Sequence, residues 1–421
     1  MVIIYLGDFM SKLKQIFIIS FLLIIYIYVC NISLLPSNVI IFEGEGLNLK
    51  TIVGITVKRA NKSNVQIIQA SSSVEDGVYE TAGTFELNLD LFGTIPVKEI
   101  NVNVIPKTKV VPLGNLIGVK MYTSGVLVVG MSEIEGIDNQ KYKPYLNSGI
   151  QEGDMIVEMN SKKVENTDEL VNVVNKSNGE EIEIKYVRNE EVITTSIDPI
   201  KSKTNEYKLG LWVRDAAAGV GTLTFYEPST GNFAALGHGI VDIDTGGIFN
   251  IANGELVNSK LMSIQKGEKD KPGEIKGSID STTTIGEIYK NTNFGVFGFV
   301  TTKENLDFTN TKEYEVALRS EIKTGEAEVI CELEEGKKQN YKIEIQKIYT
   351  SNNYDNKSML IKITDERLLA KTGGIIQGMS GSPIIQNGKF IGAVTNVLVS
   401  DPTTGYAIFA DLMIKQMRSV Q

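Results

Sequence analysis

Apolar and polar residues alternate differently in the first 35 residues than in the rest of the chain. From Ile16 to Cys30 the chain is almost wholly apolar, and Ile32, Leu34 and Leu35 continue the run. Together they reach about 20 residues, the length a helix needs to cross the apolar interior of a bilayer. No polar stripe recurs at helical spacing, as a half-exposed helix of a soluble protein would show. Residues 36–109 instead alternate in short runs, such as Val65-Gln66-Ile67-Ile68, Phe85-Glu86-Leu87-Asn88-Leu89 and Val102 to Ile105, with turn residues such as Glu75-Asp76-Gly77 between them. A period of two predicts strands, here in a small β-rich module with no evident chemistry. Pro106 and Pro112 bracket a predicted linker. Beyond residue 201, strand-like runs and glycine turns dominate: Gly219 to Tyr226, Gly295 to Val300, Ile343 to Ile348 and Gly392 to Val397. Only Asp411 to Met417 reads as helix. Such a stretch predicts one or two β-barrels, and it lacks the strand–helix alternation of an α/β-hydrolase sheet.

Composition narrows the function classes. A chain of 421 residues calls for two or three domains. Its net charge of −9, with no basic cluster beyond the N-terminus, argues against a nucleic-acid partner. Two cysteines, Cys30 and Cys331, and one histidine make no zinc site, so neither a metal nor a cofactor is expected. Lys12 and Lys14 precede the apolar run and place that side in the cytoplasm. No small-x-small cleavage site follows, which favours a retained anchor over a removed signal peptide. Met10 is an alternative start. Residues beyond about 36 are then expected outside the cytoplasm.

Between the linker and residue 200 a second pattern emerges. Leu116 to Met121 and Gly125 to Gly130 are strand-like, and Gly149-Ile150-Gln151-Glu152-Gly153-Asp154-Met155-Ile156 places a turn at Gly153-Asp154 before a buried strand from Met155 to Met159. Asn166 is a helix cap with Glu169 as its capping-box partner, and Leu170, Val173 and Val174 share one helical face. Glu181 to Val187 supplies a last strand. This segment, residues 110–200, resembles a bacterial PDZ domain. The resemblance implies peptide binding by strand addition, with backbone N–H groups of a loop at Gly114, Leu116, Ile117 and Gly118 holding a terminal carboxylate.

The chemistry concentrates in two glycine-rich turns. Gly378-Met379-Ser380-Gly381-Ser382-Pro383 has the residue order of a nucleophile turn in chymotrypsin-like proteases: Gly, any, Ser, Gly, small, Pro. There the N–H groups of Gly378 and Ser380 would form an oxyanion hole, in which one lost donor costs roughly 3 kcal/mol of transition-state stabilisation. Ser382 sits where the pattern wants a small packing residue. His238, in Ala235-Leu236-Gly237-His238-Gly239, is the one imidazole and so the one candidate base. An orienting acid remains open among Asp365, Asp242, Asp244, Asp280 and Asp401.

Several blocks together resemble the SpoIVB family of sporulation serine peptidases. They are Leu211 to Asp215, Ala218 to Phe225, Ala235 to His238, Thr372 to Pro383 and Gly392 to Thr395. The resemblance implies a catalytic triad of Ser380 as nucleophile, His238 as base and Asp365 as acid. It implies a chymotrypsin-like double β-barrel behind an anchor (1–35), a β module (36–109) and the PDZ domain (110–200), with the peptidase at 201–421: mainly β overall. It also implies self-cleavage, and cleavage of a membrane-bound regulator that activates an intramembrane protease for a late sigma factor, in the space outside the forespore membrane. Asn396 stands where family members often carry histidine. Two other readings are a catalytically decayed PDZ scaffold and a quality-control protease of the HtrA type. In the HtrA type the protease precedes the PDZ domain, whereas here the PDZ domain comes first.

Overall fold

The computed structural model describes residues 2–49, 53–59, 67–68, 74–75, 82–302, 312–349 and 356–419. They fall into two compact units, one built mainly from the chain up to Thr108 and one from Lys109 onward.

The first unit opens with helix α1 (Val2–Leu34), whose Leu13–Leu34 portion is apolar and long enough to cross a membrane. Its large side chains stay exposed, Phe17 by 76% and Ile19 by 64%. An apolar helix with no protein cover suits a lipid surround. A sheet follows. Strand β1 (Asn38–Phe42) runs parallel to β4 (Ile95–Ile105), which pairs antiparallel with β3 (Gly83–Leu91), and β3 with β2 (Ile55–Arg59). The alternation that predicts these strands points Ile55, Val57, Leu87, Leu89, Ile100 and Val102 into one core. Val65, Gln66, Asp76 and Gly77 lie outside the described residues.

The second unit is organised by two long partners, β5 (Lys109–Met131) and, after the PDZ elements, a strand that pairs with β5 along most of its length. The PDZ elements are β6 (Met155–Met159), α2 (Thr167–Lys176), β7 (Ile182–Arg188) and β8 (Glu191–Ile197), and the long partner is β9 (Leu211–Tyr226). The PDZ segment is thus an insertion between two strands that also belong to the peptidase. Its Gly153-Asp154 turn forms as the sequence suggests. Asp154 is buried and accepts from Gln151 N–H at 2.8 Å and from the Arg188 guanidinium at 2.7 Å. At the start of α2, Asn166 accepts from Glu169 N–H at 2.9 Å, while the Glu169 carboxylate reaches back to Glu165 N–H at 2.8 Å. Leu170 and Val174 face the core, as their spacing requires.

The peptidase part is two closed barrels. β5 pairs with β9, and β9 with β10 (Asn232–Ala235). The ring then runs to β13 (Gly295–Val300), β12 (Glu274–Thr292) and β11 (Asn253–Gln265), and back to β5. In the second, β14 (Gly325–Glu334), β15 (Lys337–Ile348), β16 (Met359–Ile363), β19 (Asp401–Phe409), β18 (Lys389–Leu398) and β17 (Pro383–Gln386) pair in that cyclic order. Closure leaves no free sheet edge around either ring. Each barrel has its own core, around Leu223, Phe233 and Phe249 in the first and Val329, Ile345 and Ile361 in the second. Cys331 lies in the second core, its thiol pushed up to about 12 by burial, which makes it chemically inert.

The structure corrects three expectations. Pro112 is no linker residue, because it sits within β5 opposite Phe225. Residues 110–122, expected wholly in the PDZ domain, also pair within the first barrel. The anticipated carboxylate-binding loop is therefore strand: Leu116, Ile117 and Gly118 pair with Thr222, Gly221 and Val220 of β9. Leu116 N–H donates to the buried Glu332 carboxylate at 3.1 Å, and Gly114 lies so close to Ile330 that an added Cβ would stand 2.8 Å from its carbonyl oxygen. Leu116, Ile117 and Gly118 are thus strand residues of a barrel and not a free loop. Finally, helix α3 (Glu366–Thr372) interrupts a stretch read as all strand, and helix α4 (Ala410–Arg418) closes the chain where helix was expected.

Candidate active site

Between the barrels lies a cavity of about 410 Å³, lined by both His238 and Ser380. His238 comes from the first barrel. After β10 the chain reverses through Leu236 and Gly237, both at positive φ (69° and 67°). A leucine in the left-handed region costs on the order of 1 kcal/mol or more, a strain the surroundings must hold in place. Leu236 N–H donates to Thr222 C=O at 3.1 Å, which fixes the reversal.

Ser380 comes from the second barrel, on the turn that enters β17. Gly378 and Gly381 both take φ near 95°, and a Cβ on Gly381 would stand 2.2 Å from the Thr222 carbonyl oxygen. Only glycine fits there. Thr222 ties the two turns together. Its N–H donates to Ser380 C=O at 3.0 Å, its C=O accepts from Leu236, and its hydroxyl donates to Gly378 C=O at 2.7 Å. In the Ser380 turn Gln377 N–H donates to Gly273, Met379 N–H to Ile376, Gly381 N–H to Val394 and Ser382 N–H to Met379. The N–H groups of Gly378 and Ser380 donate to no acceptor among the described residues, although both residues line the cavity. Half-buried donors left unpaired beside a serine are what an oxyanion hole requires. The Ser382 hydroxyl is fully buried in the turn, away from the cavity.

The Ser380 hydroxyl donates to Thr395 C=O at 2.8 Å. His238 Nδ1 lies 2.8 Å from Gly239 C=O. A carbonyl only accepts, so Nδ1 carries the proton and Nε2 is left as the basic nitrogen. Burial lowers the imidazole pKa, the Gly239 contact opposing it in part. The ring is accordingly neutral at pH 7.

No carboxylate completes a triad among the described residues. Asp365 is the N-cap of α3, is not among the residues lining the cavity, and spends both oxygens locally. Oδ1 accepts from Arg367 N–H and Nε, both at 3.0 Å, and Oδ2 from Lys342 N–H at 3.1 Å and Arg367 Nη2 at 2.8 Å. The Arg367 side chain holds this carboxyl far below the ordinary range. The sequence carries the signal that explains it, a capping Asp365 and a Gly373 at φ 75° bracketing seven residues with helical caps. The rival acids are equally committed. Asp242 and Asp244 both pair with Arg214, Asp280 accepts from Thr282 and Thr283, and Asp401 from Thr403 and Thr404. Asn396 is exposed and lines the same cavity. Sequence reasoning missed Thr222, whose role depends on contacts 156 residues away.

In the PDZ part a separate groove of about 660 Å³ lies between α2 (Leu170, Val171, Val174) and Tyr207 with the start of β9 (Leu211, Trp212).

Two closed β-barrels that each contribute one turn, serine-bearing or histidine-bearing, to a shared cavity define a chymotrypsin-like architecture. The chain belongs to the SpoIVB peptidase family: the S55 family model matches residues 205–414. A PDZ model matches residues 116–198. The protein is therefore a serine peptidase that carries a PDZ domain. Among solved structures, it is similar to the PDZ domain of the SdrC-like protein from Listeria monocytogenes, at 16% identity over 21% of this chain and 87% of that one, with a TM-score of 0.17.

Proposed function

We propose that the protein is a membrane-anchored serine endopeptidase in which Ser380 is the nucleophile and His238 the base. The observation that carries this reading is the shared cavity, lined by His238, Ser380 and Gly378, with the N–H groups of Gly378 and Ser380 unpaired among the described residues. In the resting arrangement the Ser380 hydroxyl rests on Thr395 C=O. A change of χ1 to another staggered position frees it from that carbonyl to meet the imidazole. Ser380 Oγ then attacks the peptide carbonyl carbon as His238 Nε2 takes its proton, and the oxyanion falls to the two amides. The imidazolium returns the proton to the leaving amine, which breaks the C–N bond. Water, deprotonated by the same nitrogen, releases the acyl group from Ser380. Gly239 C=O fixes the tautomer, a task usually given to a carboxylate, and Asp365 serves the fold instead.

The family reading supplies the setting. The anchor would hold the peptidase on the far side of the forespore membrane. There it would cleave itself and a membrane-bound regulator, and so release an intramembrane protease to process a late sigma factor. The PDZ groove beside α2 would select the peptide segments presented. The test is labelling of the full-length protein in detergent with a fluorophosphonate. Labelling that disappears in Ser380→Ala and falls at least 100-fold in rate in His238→Ala supports the assignment. The hydroxyl's contact with Thr395 favours one rival, a peptide-binding scaffold without activity. A folded protein that is never labelled would establish the scaffold.

A further inference from the structure

Helix α1 ends against the β module through three kinds of contact. Ile32 and Leu35 pack on the core of the sheet. Lys98 of β4 donates to Ile32 C=O at 3.1 Å and to Leu35 C=O, a cation on the last carbonyls of the helix, where the helix dipole favours one. The Tyr28 hydroxyl donates to Val53 C=O at 2.6 Å. The apolar span ends at Leu34, and at 1.5 Å per residue Tyr28 lies about 9 Å back along it. The turn at Val53 is therefore level with the apolar span, not beyond it. Strand pairing runs the same way. Asn101 N–H donates to Ser37 C=O at 2.8 Å, where the chain leaves the helix, and β1 runs parallel to β4 from there. The start of β4, from Ile95 to Lys98, thus projects back alongside the end of the helix.

At that end of the sheet Val53, Phe92 and Ile95 are all exposed. Leu91 pairs with both Ile55 and Ile95, which gathers the three positions around the β3–β4 turn. Phe92 is 69% exposed and yet sits at φ 53°, a conformation that bulky side chains resist. Its N–H donates to Gly54 C=O at 2.7 Å, and its ring lies over Gly54, where an added Cβ would stand 2.8 Å from it. Glycine or asparagine would turn the chain here without strain, so a phenylalanine held outward gains nothing from the module's own core. The lysines beside the tip are spent: Lys58 pairs with Asp90 at 2.6 Å and donates to Gly93 C=O at 2.8 Å, and Lys98 caps the helix. We propose that this tip is a second membrane contact, in which Val53, Phe92 and Ile95 enter the bilayer that α1 crosses, about 5–10 Å into the boundary of headgroups and acyl chains. This contact, which presupposes the anchor read above, takes lipid as its occupant because the patch continues the lipid-facing surface of α1. Removing the three side chains from water drives it, and with both lysines compensated it needs no anionic headgroup. One helix alone leaves the module free to swing, whereas a second contact fixes its tilt against the membrane.

The experiment uses the full-length protein carrying Trp212→Phe, reconstituted in phosphatidylcholine bilayers, with one tryptophan placed at a time: Phe92→Trp at the tip, Thr84→Trp near the other end of β3, and Leu23→Trp in mid-span. Phosphatidylcholine brominated on its acyl chains quenches the tryptophans that reach it. With bromine at shallow positions the Phe92→Trp protein should lose about half or more of its emission and the Thr84→Trp protein less than about a tenth, in high salt as in low. Adding Val53→Asp and Ile95→Thr, both at exposed positions, to the Phe92→Trp protein should cut that quenching by about threefold or more with the thermal unfolding curve unchanged. Quenching at Leu23 by deep bromine without quenching at Phe92 overturns the second contact and leaves the anchor standing, and quenching at neither overturns both. Quenching equal at Thr84 and Phe92, or unaltered by the two added substitutions, also overturns the contact. So does quenching at Phe92 that requires anionic lipid and vanishes in salt, because the attraction is then electrostatic. A blue shift that grows with protein concentration in detergent, without quenching by lipid, assigns the tip to a second copy of the chain and overturns it equally.

Discussion

Asp365→Asn separates a helix cap from a catalytic acid. Asparagine caps a helix as well as aspartate does, so the Arg367 N–H keeps its acceptor. What disappears is the charge-assisted, two-pronged contact with the Arg367 side chain, at 3.0 and 2.8 Å. Hydrogen bonds to charged groups contribute roughly 1.5–3 kcal/mol each when sheltered. Arg367 is 63% exposed, however, and water replaces part of the loss. The net destabilisation should be about 1–2 kcal/mol, or a Tm lower by roughly 2–8 °C for a domain of this size. It should be largest at neutral pH. The folded-state pKa is depressed, so the carboxylate's stabilisation is present above the ordinary carboxyl pKa and lost as pH falls through the folded value. The assay pairs thermal unfolding with kcat/KM corrected for the labelled fraction. Activity per folded molecule should stay within about threefold of the parent, because Gly239 rather than Asp365 holds the imidazole. An acid acting on that ring would instead cost on the order of 10⁴ in kcat. A loss of that size with an unchanged Tm would refute the reasoning and return Asp365 to the triad.

Three more predictions follow from the same contacts. Thr222→Val keeps the side-chain shape and the backbone ties but leaves Gly378 C=O without its hydroxyl donor, so kcat should fall by roughly 10- to 100-fold with KM little changed, as expected for a loosened oxyanion amide. Equal effects on KM and kcat would count against that role. Burial lowers the His238 pKa, so the acid limb of the kcat/KM profile should lie below the ordinary imidazole value of about 6.5, and a limb at or above it would contradict the buried, neutral ring. Stability should fall over the same interval, because below the unfolded pKa the unfolded chain binds the proton that the buried ring refuses. Finally, Trp212, the single tryptophan and 63% exposed, lines the PDZ groove, so peptide titrated into the Ser380→Ala protein should shift its emission to the blue; no change at saturation would remove the groove as the binding site.

Much of this molecule is legible in local chemistry. An almost wholly apolar run from Ile16 to Cys30 can hardly form anything but a helix that avoids water, and strict alternation over Phe85 to Leu89 sets a strand with one buried face. The cap at Asn166 and the turn at Gly153-Asp154 are decided within a few residues, and they form as the sequence suggests. The turn around Ser380 is equally local, since Gly378 and Gly381 adopt backbone angles that other residues resist. Reading Asp365 as a catalytic acid follows the family's order of residues, whereas the nearer signal, Asp365 and Gly373 bracketing a short helix, belongs to capping.

Pairing partners were a different matter. Leu116 to Gly118 look the same whether they bend into a peptide-binding loop or run straight, because either state satisfies their propensities. The choice falls to β9, just over a hundred residues on, whose Val220 to Thr222 offer the matching hydrogen bonds, and to Gly118, whose missing side chain leaves room for Val257 and Ile279. The same holds for Thr222. An unremarked threonine in a strand becomes the joint between the serine and histidine turns only when two barrels close against each other. Sequence settles which segments avoid water and where the chain can bend. Tertiary closure settles which amides are left unpaired beside Ser380, because a hydrogen bond is a property of two partners and only the closed barrels bring the second one near.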